Sequence, residues 1–232
     1  MVDIHVIPSP GFDENLVKIL QALQHPQVHV QIADYVEGDI LAARLRAYTL
    51  GDCPYVSWVD GDDRVLDIKW IELAVFILDS CPHISAVYPR WTAIKNGKVK
   101  KTPPIHVWDA RMHSTWSYLP MAHHLTVMRK HQVLELLGDA QEAVGGMVKS
   151  QDRYLMSALV RHGQLVSLDD VAYEWHLRPN TGRSAQDSPK AIKWCRKRAV
   201  EDVKLARALS LDEASKLLHA KALFSARHLR CV

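Results

Sequence analysis

The sequence predicts an α/β protein: a mostly parallel sheet with helices on its faces. Three observations lead there. Strand-like and helix-like segments alternate over residues 2–88, no apolar run of membrane length interrupts them, and one apolar strand ends in a knot of carboxylates, Tyr55-Val56-Ser57-Trp58-Val59-Asp60-Gly61-Asp62-Asp63. A β-α-β-α order implies parallel strands joined by right-handed crossovers.

The elements follow in order. Residues 2–7 are β-rich and run into Pro8-Ser9-Pro10-Gly11, so a strand feeds a loop. Asp13 caps a helix whose apolar positions Leu16, Val17, Ile19, Leu20 and Leu23 recur at helical spacing until His25-Pro26. Residues 28–32 form a second strand leading to Asp34. Residues 38–50 make a helix with Ile40, Leu41, Ala43, Leu45 and Ala47 inward, closed by Gly51. A third strand covers 55–59, Asp67 caps a helix through Leu78, and 84–88 is a fourth strand.

The second half is organised differently. Asn96-Gly97 between extended runs in 91–101 signals a hairpin. Residues 105–119 are rich in aromatics and histidine with little periodicity and read as a loop near the cleft. Residues 124–128 read as a strand, 130–137 as a short helix, 151–162 as a helix, and 165–168 and 171–175 as extended segments. From Ser188 onward the pattern is helical, with a capping box at Ser210–Glu213.

At 232 residues, 48% apolar and 24% charged, the chain has the composition of an ordinary globular protein with a sizeable core. Residues 71–78 are too short to span a bilayer, and the N-terminus shows no secretory signal. Cys53, Cys81, Cys195 and Cys231 make no C-x-x-C pair, which together predicts reduced thiols and a cytoplasmic location. Residues 190–232 carry 11 Lys and Arg against 4 Asp and Glu, a net of +7; of the 29 basic and 26 acidic residues in the chain this leaves 18 and 22, a net of −4. A basic tail on an acidic body suits a polyanionic partner, and equally a solvated helix surface.

The chemistry concentrates at strand ends. In open α/β sheets ligands bind beyond the carboxyl ends of the strands, where the Ser9 loop, Asp34 and residues 60–63 all fall. Asp60, Asp62 and Asp63 crowd negative charge that a hard divalent ion would relieve, and that ion could hold a diphosphate. Read alone, the same residues are also an ordinary solvated Asp-Gly turn. No phosphate-binding Gly-rich loop competes for a nucleotide.

Taken together, the strand at 2–7, Asp34, Ala43-Arg44, Val59-Asp60-Gly61-Asp62-Asp63, Gln151-Asp152 and Tyr173-Glu174-Trp175-His176 resemble the family-2-like, inverting glycosyltransferases of the GT-A fold. The resemblance runs over about three quarters of the chain. It implies a GT-A, Rossmann-like domain over 1–185, with a nucleotide-sugar half over about 1–100 and an acceptor half over about 101–185, then a basic helical C-terminal extension over 186–232. It implies a hexosyltransferase using a nucleoside-diphosphate sugar, most simply a UDP sugar. Pro8, Asp34, Arg44, Asp60, Gly61, Asp62, Arg178 and Arg183 would contact the donor. Asp60 and Asp62, the D-x-D element, with His176, would hold Mn²⁺ or Mg²⁺, and Asp63 could replace Asp62 or orient the sugar. Asp152 would be the base that takes the acceptor hydroxyl's proton.

The chain departs from that family in three places. Gln151 stands where a Glu usually precedes the base, the first strand ends in Ile7-Pro8-Ser9-Pro10, and Ala33-Asp34-Tyr35 replaces an Asp-Asp-Gly-Ser pattern. The acceptor is not encoded in these motifs; a glycan is one candidate, and Trp194 among Lys193, Arg196, Lys197 and Arg198 makes a hydroxylated base in nucleic acid, that is, DNA modification, another. Two other classes stay open: a non-catalytic nucleic-acid-binding or assembly protein on a GT-A-like fold, and a nucleotidyltransferase.

Overall fold

The computed structural model describes residues 3–7, 15, 18, 19, 22, 26, 28–30, 44, 47–95, 97–101, 107–108, 125–135, 155–156 and 159–176. Nine strands and a helix are set out from end to end: β1 (Ile4–Val6), β2 (Val28–Val30), β3 (Tyr55–Val56), β4 (Arg64–Val65), α1 (Lys69–Ser80), β5 (Ile84–Lys95), β6 (Lys98–Lys101), β7 (Val107–Trp108), β8 (Val127–Arg129) and β9 (Gln164–His176). Residues 130–135 are helical as well. None of the described helices is long and apolar enough to cross a membrane.

β1 and β2 pair in parallel. The larger sheet has the order β3-β8-β5-β9-β4, with β6 on β5 and β7 on β9. Of its pairings only β5–β9 is parallel; β3–β8, β4–β9, β5–β6, β5–β8 and β7–β9 are antiparallel. The expected mostly parallel sheet is therefore corrected to a mixed one among the described residues. The physical reason is β8: it enters antiparallel between β3 and β5, which consecutive right-handed crossovers would have made neighbours.

β5 is the centre of this sheet, and residues 84–89 are buried without a break, as expected for a strand covered on both faces. Pro89, which has no N–H to donate, sits at the register shift between Tyr88 and Arg90. Beyond it β5 pairs with β6, Lys95 opposite Lys98 and Gly97 at φ +70° before β6, the predicted hairpin. The two extended segments expected at 165–168 and 171–175 form one strand, β9, kept in a single ladder by a bulge that leaves Asp169 and Asp170 exposed. Residues 107–108, expected in a loop, form β7 against Val166 and Leu165. The helix after Asp67 forms as predicted and extends to Ser80; Asp67 Oδ1 accepts the Lys69 amide at 2.9 Å. The 186–232 extension lies outside the described residues.

Trp70, Ala74 and Leu78 make an i, i+4, i+8 stripe on α1 and pack with Ile84, Val87, Leu125, Val127, Ala172 and Tyr173. Each large side chain buried there contributes about 2–3 kcal/mol. Helix α1 carries no basic residue in its last turn. Arg129 of β8 supplies that charge, donating to the carbonyls of Leu78 at 2.5 Å, Cys81 at 3.2 Å and Ile84 at 2.9 Å. Its neighbour Lys130 does the same for Leu50, at 2.8 Å, and Gly51, where the preceding helical segment ends.

On β1, His5 lies opposite His29 with the rings stacked 4.9 Å apart, and both ring nitrogens of His5 are buried without a hydrogen-bond partner. Burial first, and His29 second, hold His5 below its ordinary value of 6.5.

Two predictions follow from these contacts. Arg129→Met leaves two carbonyls at the end of α1 and one at the start of β5 without their charged donor, about 3 kcal/mol, and thermal denaturation should show Tm lower by roughly 6–12 °C. The unfolded chain protonates His5 near pH 6.5 while the fold resists it, so this residue lowers stability as pH falls below 6.5 and has no effect well above it. Melting curves between pH 8 and 5 should fall less steeply for His5→Phe than for the wild type; parallel curves would contradict this.

Candidate functional site

The site is a loop that strides across one end of the sheet. β3 lies on one edge and β4 on the other, and residues 57–63 connect them. Since β8 is antiparallel to both β3 and β5, and β9 is parallel to β5, the loop crosses the carboxyl ends of β3, β5 and β9. It is fastened on both sides. On the β8 side the Leu125 amide donates to the Trp58 carbonyl at 2.7 Å, from a Leu125 held at φ 55°. On the β9 side Asp63 accepts from the Tyr173 hydroxyl and, at 2.9 Å, from the His176 amide. Between them the Asp63 amide closes a turn on the Asp60 carbonyl at 3.1 Å.

That turn gathers Asp60, Asp62 and Asp63 so that one oxygen of each lies within 4.8 Å of the others. Asp62 is exposed and the other two are half-buried. Burial raises the Asp63 carboxyl above its ordinary value; Tyr173 and the His176 amide pull it back, and Asp62 and Asp60 push it up again. The Tyr173 hydroxyl is raised strongly, first by burial and then by Asp63. An all-oxygen, triply acidic set of this kind fits a hard divalent cation such as Mg²⁺ or Mn²⁺.

One side-chain cation is already present. Arg44 Nη2 lies 3.3 Å from Asp60 Oδ1, and its guanidinium sits 5.1 Å from the centre of the Trp58 ring. The Trp58 indole N–H donates to the same Oδ1 at 2.5 Å. The structure thus brings together Arg44, Asp60 and Asp62 from the sequence-derived donor set, with Asp63 beside them. Gly61 lies in the turn; a Cβ there would meet nothing within 4 Å, so the protein's own packing does not require glycine. His176 reaches the cluster through its backbone amide, while its ring Nε2 lies 2.6 Å from Glu174 Oε1. Pro8, Asp34, Asp152, Arg178 and Arg183 lie outside the described residues.

Three participants were given no role from the sequence: Trp58, Tyr173 and Glu174. Trp58 could have been found, because residues two apart on an extended segment face the same way and Trp58 precedes Asp60 by two. The Tyr173–Asp63 bond spans 110 residues and leaves no local signature.

No protein-family model matches the sequence, and no curated protein does. The fold, however, is similar to that of TarS from S. aureus. The fragment TarS 1–349 in complex with UDP-GlcNAc superposes with a TM-score of 0.64 at 15% identity, covering 98% of this chain and 63% of that one. The same fragment in complex with UDP gives 0.62 at 13% identity, covering 95% and 61%. The longer TarS structure gives 0.57 at 16% identity, covering 98% of this chain and 38% of TarS. The chain thus spans about three fifths of the TarS fragment, and at such identity the likeness is one of fold.

Tyr173→Phe keeps the buried ring and deletes the donor to Asp63. The Asp63 carboxyl should rise further, since the lost bond favoured its charged form, and Tm should fall by a few degrees, from roughly 1–2 kcal/mol. Carboxyl ¹³C titration and thermal melts read both; an unmoved Asp63 titration would remove Tyr173 from the site.

Proposed function

We propose that the protein is a glycosyltransferase that moves a sugar from a nucleoside-diphosphate donor, a UDP sugar, to an acceptor hydroxyl with inversion. The observation that carries this reading is the three-carboxylate turn across the carboxyl end of the sheet. The fold it stands in is similar to that of TarS 1–349, which has been seen with UDP-GlcNAc and with UDP.

In this reading Asp60 and Asp62 would hold Mn²⁺ or Mg²⁺, which when bound supplies positive charge to a departing diphosphate. For His176 to add a ligand, its Nε2 has to leave Glu174 or its Nδ1 has to bind. Arg44 places a guanidinium beside the same aspartate, suited to a phosphate oxygen. Asp63, engaged by Tyr173 and the His176 amide, holds the turn in place. Pro8, Asp34, Arg178 and Arg183 are proposed donor contacts. Asp152 is the proposed base: it takes the acceptor hydroxyl's proton while that oxygen attacks the anomeric carbon opposite the leaving group. The acceptor we propose is a hydroxyl on a polyanion, drawn by the excess of Lys and Arg over 190–232.

The test is thermal stability with a panel of UDP sugars, each with and without Mn²⁺. A donor at ~100 times its dissociation constant adds about 2.7 kcal/mol, so Tm should rise by roughly 5–11 °C, only with the metal, and not in Asp60→Ala. No shift with any donor would refute the reading.

A further inference from the structure

Trp58 is an aromatic residue whose position the core does not explain. It is half-exposed and lies outside the packed cluster around Trp70 and Tyr173. Its backbone is fixed, because its carbonyl accepts the Leu125 amide at 2.7 Å. Its side chain makes two polar contacts of different kinds. The indole N–H donates to Asp60 Oδ1 at 2.5 Å, and the ring face carries the Arg44 guanidinium at 5.1 Å. Arg44 Nη2 in turn reaches the same Oδ1 at 3.3 Å. Three groups therefore close a small ring of contacts in which one carboxylate oxygen is shared by two donors.

A carboxylate on a loop can rotate about two side-chain torsions, and a ligand has to arrest that motion. Two donors converging on one oxygen arrest it beforehand, and the bond to an ionised acceptor is of the strong, charge-assisted kind. Leu or Val would offer neither support and Phe only the face; Trp offers a planar face to a guanidinium together with an N–H in the ring plane. We propose that Trp58 is a positioning residue of the donor site, which presets the rotamer of Asp60 and the plane of Arg44 so that cation and diphosphate meet an already arranged pair. This rests on the donor reading given above.

The experiment is calorimetric titration of the full chain with Mn²⁺ and UDP together, alongside a thermal melt, for wild type, Trp58→Phe and Trp58→His. Phe keeps a face for Arg44 and loses the N–H; His keeps a ring N–H. The expected result is a dissociation constant about tenfold weaker for Trp58→Phe, mostly regained in Trp58→His, whatever the change in Tm. Trp58→Phe binding as tightly as wild type would overturn the proposal, as would an equal loss in both variants, the pattern of a residue that only fills space. Should Trp58→Phe fail to fold, the His variant alone decides: near-wild-type affinity supports the N–H, and a tenfold loss overturns it. A wild type that binds neither Mn²⁺ nor UDP removes the donor reading itself, and the role of Trp58 with it.

Discussion

The carboxylate of Asp63 joins parts of the chain that nothing local would join. One oxygen takes the hydroxyl of a fully buried tyrosine and the other takes a backbone amide at the end of the longest strand. Because the turn that holds Asp60 and Asp62 closes on Asp63, those bonds decide where all three acids stand. The rest of the sheet is arranged to make this possible. The long parallel pairing of β5 with β9 delivers Tyr173 and His176 to the carboxyl end, and β4 pairs with that same stretch of β9, Arg64 opposite Glu174 and Val65 opposite Tyr173. The Leu66 amide adds a bond to the Ala172 carbonyl at 2.8 Å.

Holding three acids together opposes the fold, and the structure meets that opposition unevenly. Asp63 is satisfied by neutral donors inside the protein, Asp60 by a guanidinium and an indole, and Asp62 is the most exposed of the three. A gradient of exposure runs through the turn, from two half-buried aspartates, one of them a fastener, to one at the surface. Charge crowded in this way is what a divalent cation would relieve.

Much of this was legible in the sequence because it is written locally. The hairpin at Gly97, the helix after Asp67 and the placement of the acids beyond a strand end all follow from residues within a few positions of one another, although β3 is Tyr55–Val56 and stops short of the strand expected over 55–59. What escaped was set by distant partners. The antiparallel entry of β8, the two-residue strands β4 and β7, and the role of Tyr173 depend on ladders between segments with no pattern of their own. Glu174 was seen only as part of a motif; its position against the His176 ring depends on where β9 ends. Trp58 is the intermediate case: its alternation with Asp60 was readable, its bond to Asp60 was not.

The separation of 110 and 113 residues between Asp63 and its two donors has a consequence for synthesis. As the chain leaves the ribosome, the acids appear early and their fastening appears late. Until residue 176 has emerged, the turn has no complete β9 to lie on, so the bonds that fix Asp63 cannot form from the first hundred residues alone. Closing such long-range pairs is the slow part of folding. The growing chain therefore carries its three carboxylates through 113 residues of elongation before the last of the groups that fasten them has been made.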